Sequence, residues 1–173
     1  SRLMIGYYHT WDNAGNPFIK LRDVDSNWDV INISFAEPVS AGSTDGKMRF
    51  NISGLSSSYT KEDFKQDIKT LQAKGKKIVL SIGGYEGYFS LDSQTAVNQF
   101  VSDIKGFVDE YGFDGIDIDL EQSSVQFAQG NDKDIRQINS PKLANMVSAI
   151  KTIVHSYGDD FILSWAPETF YMQ

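Results

Sequence analysis

Three carboxylates recur at every second position in the run Asp117-Ile118-Asp119-Leu120-Glu121. A β-strand turns successive side chains to opposite faces, so Asp117, Asp119 and Glu121 share one face while Ile116, Ile118 and Leu120 share the other. Adjacent acids would stand about 6.5 Å apart at the usual rise of about 3.3 Å per residue. At an effective dielectric near 20, two unit charges at that distance repel by roughly 2.5 kcal/mol. That repulsion is worth about two pKa units. At least one of the acids is therefore expected to keep its proton near neutral pH. A carboxylic acid held protonated in a cleft is what general acid catalysis requires.

Two plainer readings compete. Calcium loops also space acids by two, but they need flexible turn-forming residues and a central glycine between ligands. Here Ile, Ile and Leu intervene, and these favour a strand. The other is a solvated acidic strand in an antiparallel sheet, with the aliphatic face on a core and the acids in water. The rest of the chain bears on that choice.

Leu3 to Tyr8 reads as a first strand and Asp29 to Ala36 as a second, separated by a Gly-, Asn-, Pro- and Asp-containing loop with room for a short helix. Pro38 to Asn51 is polar and reads as a long loop or small excursion. Thr60 can cap a helix with Glu62 and Asp63 in its first turn, an apolar face of Phe64, Ile68 and Leu71, and a stop at Gly75. Lys77 to Ile82 is a third strand, closed by Gly83-Gly84. Asp92 or Ser93 starts a helix with a stripe of Val97, Phe100, Val101, Ile104, Phe107, Val108 and Tyr111, ended by Gly112. The acidic strand follows. After a polar stretch, Ser140 caps a helix with Pro141 at its first position. Leu143, Met146, Val147, Ile150, Ile153, Val154 and Tyr157 face inward, and Phe161 to Ala166 is a fifth strand.

Strand and helix alternate, which predicts parallel β/α units in one domain. An open doubly wound sheet buries both strand faces under helices, where three carboxylates would be costly. A β/α barrel instead turns one face of each strand inward and places chemistry at the C-terminal strand ends, where Glu121 lies. The acids thus argue for a (β/α)8 TIM barrel, of which residues 1–173 supply roughly the first five β/α units. The net charge of -7 disfavours a nucleic-acid partner or an anionic membrane surface. There is no cysteine, hence no disulfide and no thiol nucleophile or thiolate metal site. No apolar run is long enough to span a bilayer, and no signal peptide opens the chain.

Asp114-Gly115-x-Asp117-x-Asp119-x-Glu121 resembles the signature of glycoside hydrolase family 18, the chitinases and related endo-N-acetylglucosaminidases. Ser81-Ile82-Gly83-Gly84, the opening Gly6-Tyr7-Tyr8 and Ala166-Pro167-Glu168 resemble further motifs of its bacterial-type chitinases. The resemblance implies that residues 1–173 form a single, incomplete catalytic domain, its N-terminal portion. It implies hydrolysis of β-1,4-N-acetylglucosaminide bonds with Glu121 as acid and then base. The substrate's own 2-acetamido oxygen would be the nucleophile, an exception to the two-carboxylate scheme. Asp119 would orient the acetamido group, and Asp117 would sit behind it and share a proton. Tyr7 and Ser81 would hydrogen-bond Asp117. Substrate contacts are expected at Tyr7, Ser81, Gly83, Gly84 and Glu168, with no metal and no cofactor. The localisation implied is extracellular.

Trp11, Tyr85, Tyr88, Trp165, Phe170 and Tyr171 stand near strand ends, where rings can stack on sugars or pack as core. His9 follows the first strand, and His155 lies beside the apolar stripe of the last helix. The family's tyrosine from the sixth strand and tryptophan from the last have no counterpart here. A five-stranded arc leaves two open edges. The expectation is that this stretch alone is inactive and poorly stable unless a second copy or a complementary fragment completes the barrel. The same acid motif serves cleavage of N-glycan cores. A chitin-binding, non-catalytic lectin-like role is the alternative of another class, although such proteins typically lack the acid at the position of Glu121.

Overall fold

The computed structural model describes residues 2–12, 15, 17–84, 88–120 and 141–167. The expected Ser140 cap lies outside them. In chain order the elements are β1 (Ile5–His9), a 3-10 turn (Leu21–Asp23), β2 (Val30–Pro38), β3 (Met48–Arg49), α1 (Lys61–Ala73), β4 (Lys77–Gly83), α2 (Gln94–Tyr111), β5 (Gly115–Leu120), α3 (Pro141–Tyr157) and β6 (Ile162–Pro167).

Local signals set most boundaries. Thr60 and Asp63 form a reciprocal capping box at the start of α1. Ser93 caps α2, and Gly112 ends it in the left-handed conformation. Strand β1 begins two residues later than the apolar run suggests, because pairing starts at Ile5 opposite Val30. Just before it, the backbone of Met4 is held by Asp29. The stretch expected as a loop contains β3, whose two residues pair antiparallel with Glu37 and Pro38.

Strands β1, β2, β4, β5 and β6 are all parallel and lie side by side in chain order. A doubly wound sheet reverses its strand order at a switch point, and none occurs here. Without a reversal, right-handed crossovers carry successive helices to the same side of the sheet. The core shows it. Tyr8, Ile31, Ile33, Ile78, Leu80, Ile82, Ile116 and Ile118, alternating along their strands, pack against Phe64 and Ile68 of α1, Phe100 and Ile104 of α2, and Met146 and Ile150 of α3. The opposite face is left to the other residues. Its register row Tyr7, Asn32, Val79, Gly115 and Ile162 is followed by His9, Ser34, Ser81, Asp117 and Ser164. The sheet is thus oily on the helix side and polar toward the C-terminal half of its inner side.

Candidate active site

Asp117 sits in the polar row, between Ser81 and Ser164, with only 2% of its surface exposed. Burying a carboxylate is costly unless hydrogen bonds replace its water. Three hydroxyls from three strands do so. Ser81 on β4 donates to Oδ2 at 2.8 Å, and Tyr7 on β1 donates to the same oxygen at 3.2 Å. Ser164 on β6 donates to Oδ1 at 2.5 Å. Register explains the arrangement, since Ser81, Asp117 and Ser164 are direct lateral partners on adjacent parallel strands. Ser34, the next residue in the row on β2, is fully buried, and its Oγ has no hydrogen-bond partner among the described residues.

Tyr7 remains 42% exposed, so this face of the sheet opens toward solvent at β1. Its hydroxyl is pushed up to about 12, chiefly by burial and next by the negative charge of Asp117. The charge of Asp119 adds to the rise, while a hydrogen bond from Asn32 opposes it. Tyr7 therefore stays a neutral donor throughout the physiological range.

Asp119 follows Asp117 on the same face, one step nearer the C-terminal end of β5, and is half-buried. Its backbone explains the paired glycines of β4. A Cβ on Gly83, whose φ is +130°, would stand 1.8 Å from the Asp119 carbonyl oxygen. Gly84 donates its N–H to that same oxygen at 3.3 Å. A Cβ on Gly84 would meet the Phe35 ring at 2.8 Å. Gly83 thus lets β4 close on the Asp119 backbone, and Gly84 makes room for the Phe35 ring. Asp114, first acid of the motif, serves the scaffold: its Oδ2 accepts from the Ile78 N–H at 2.8 Å and from Gln72 at 3.0 Å.

Trp11 lies just beyond β1, half-buried, with its ring stacked on His9 at 4.6 Å and on Phe35 at 5.8 Å. Tyr88 packs beside Gly42. Trp165 pairs with Ile118, on the helix side of β6, and packs against the buried core. Alternation places its neighbour Ser164 on the acid face instead. Sequence reading credited the large ring and passed over the small hydroxyl, although strand period anchored on Asp117 would have found it. It also missed Asn32. Glu121, Tyr85, Glu168, Phe170 and Tyr171 lie outside the described residues. Among the described residues no cluster of His, Asp and Glu forms a metal site, and no helix is long and apolar enough to cross a membrane.

A buried carboxylate held by three hydroxyls, with a second acid on the same face at the C-terminal side of a parallel sheet, suits a site that manages protons and developing positive charge. The chain is 43% identical over 173 residues to the chitinase Chi52 of Paenibacillus xylanexedens, matching all of this chain and 32% of that protein. It is 43% identical to chitinase D of Niallia circulans, again across its whole length and 32% of the relative. The chain thus spans about a third of these curated relatives. The crystal structure of a family 18 chitinase from Chromobacterium violaceum superposes with a TM-score of 0.81 at 36% identity, covering 98% of this chain and 41% of that one. The sequence model of glycosyl hydrolases family 18 matches residues 3–173. This chain belongs to glycosyl hydrolases family 18.

Proposed function

We propose that the protein hydrolyses the β-1,4 bonds between N-acetylglucosamine units of chitin or its oligomers with retention of configuration. The observation that carries this reading is the triple anchoring of buried Asp117 beside Asp119. Folding alone gives no reason to hold a carboxylate in this row, since a small apolar residue would avoid the desolvation cost. The names of the relatives, chitinases, point the same way.

Glu121 donates its proton to the glycosidic oxygen as the bond from that oxygen to the anomeric carbon breaks. The acetamido carbonyl oxygen of the same sugar closes on that carbon and forms an oxazolinium ion. Asp119 accepts the acetamido N–H and offsets the positive charge, while Asp117, held by Tyr7 and Ser81, supports Asp119. Water then attacks the anomeric carbon, Glu121 takes its proton, and the ring opens. Gly83 and Gly84 act by letting the chain approach Asp119. Trp11, Tyr85, Glu168 and Tyr171 are the proposed sugar contacts. The same reading makes the protein secreted, as a polymer substrate outside the cell requires.

The test uses the complete encoded protein on a chromogenic chitotrioside and on a high-mannose glycoprotein. Chitotrioside turnover with the β-anomer released first, and a fall of about 10²–10⁴-fold in Glu121→Gln, is the expected result. Near-parental turnover by Glu121→Gln, or an inverted product, refutes the mechanism. Cleavage of the glycoprotein alone moves the substrate to N-glycan cores.

A further inference from the structure

We propose that Ser164 is a positioning residue that fixes the plane of the Asp117 carboxylate, a role that rests on the reaction proposed above. Tyr7 and Ser81 both reach Oδ2. Two donors on one oxygen leave the group free to swing, because the terminal torsion of aspartate is broad and weakly restrained. Ser164 takes the other oxygen at 2.5 Å. It comes from β6, whereas Ser81 comes from β4, and these strands flank β5 on opposite sides. The carboxylate is therefore held at both oxygens and from both neighbouring strands. Donors to an ionised acceptor form the stronger class of hydrogen bond, and a bond at each oxygen adds direction to energy.

Direction matters because Asp119 is the next acid on the same face. If the two acids are to share a proton, Asp117 must present a fixed lone pair toward it. Loss of the Ser164 hydroxyl leaves Oδ1 buried without that donor and releases the torsion. The expected damage lies in the chemical step more than in substrate binding, since Ser164 is one strand removed from the reacting sugar in this scheme.

The test places Ser164→Ala and Ser164→Thr in the complete encoded protein. Thr retains the hydroxyl and suits a strand. Ser164→Ala should lower kcat by about 10- to 100-fold, the range set by one hydrogen bond to a charged group, with KM nearly unchanged. Ser164→Thr should recover most of that loss. Leu163→Thr, on the opposite face of β6 and 44% exposed, should behave as the parent. A parental kcat in Ser164→Ala, an equal loss in Ala and Thr variants, or a change confined to KM overturns the proposal. A cycle of urea unfolding with Ser164→Ala, Asp117→Ala and the double variant reads the contact without activity. Non-additive midpoints support the coupling, and additive ones overturn it. If the parent turns over no substrate, the proposed reaction falls, and the cycle still decides whether Ser164 holds Asp117.

Discussion

Replacing Gly83 by alanine should separate two costs that a glycine in this conformation normally conceals. The first is backbone strain, since φ is +130°, where a side chain costs about 1–3 kcal/mol. The second is collision. The new Cβ would lie 1.8 Å from the Asp119 carbonyl oxygen and 2.8 Å from its carbonyl carbon. Both atoms are backbone, so neither can rotate away. Relief requires β4 and β5 to part by roughly 1 Å at Asp119, and a displacement of that size can cost about 100-fold in rate. The control is Gly112→Ala at the end of α2, where φ is +71° and nothing lies within 4 Å. Gly112→Ala should lose stability through strain alone and keep its kcat. Gly83→Ala should lose both. The assays are urea unfolding and chitotrioside turnover on the complete protein. A Gly83→Ala variant with parental kcat would show that the approach of β4 to Asp119 is not what the glycine serves.

The two donors to Asp117 Oδ2 should differ in weight. Ser81 is fully buried at 2.8 Å, and Tyr7 is exposed at 3.2 Å, so Ser81→Ala should cost about 2 kcal/mol in stability and Tyr7→Phe under about 1 kcal/mol. The reverse order in urea midpoints would refute this weighting. At high pH the native state should weaken. Tyr7 is raised to about 12, and burial raises Tyr8, Tyr59 and Tyr157 as well. The folded chain then holds more protons than the unfolded one above the ordinary tyrosine value of about 10, so the stability these groups contribute is intact below it and falls as pH rises through that window. Urea midpoints that stay flat between about pH 9 and about pH 12 would contradict it. Asp114→Ala should destabilise by about 1–3 kcal/mol, through the lost Ile78 and Gln72 bonds. Its urea midpoint should drop, and an unchanged midpoint would refute the scaffold role. The 173-residue chain made alone should show no chitotrioside turnover, because Ile5 on β1 and Leu163 on β6 expose apolar surface at the two outermost strands. Robust turnover by a monomer of this chain would overturn that expectation.

The local code was legible in the sequence. Thr60 with Asp63, Ser93 and Gly112 marked helix ends because capping is a matter of a few neighbouring residues. Period-two alternation placed Asp117 and Asp119 on one face, opposite Ile116 and Ile118, because pleating fixes that geometry within a single strand. Other facts depend on residues far apart in the chain. The pairing of β3 with the end of β2 is a tertiary contact with no local signal in two residues. The placement of Trp165 on the helix side and of Ser164 against Asp117 follows from the register between β5 and β6, which lie 47 residues apart at this contact. A one-residue slip would exchange the two. Sequence thus decided which side chains a strand pairs on one face, since that is set by covalent geometry. Only the tertiary structure decided which strands supply the hydroxyls that hold Asp117, since lateral register is fixed by packing across the whole sheet.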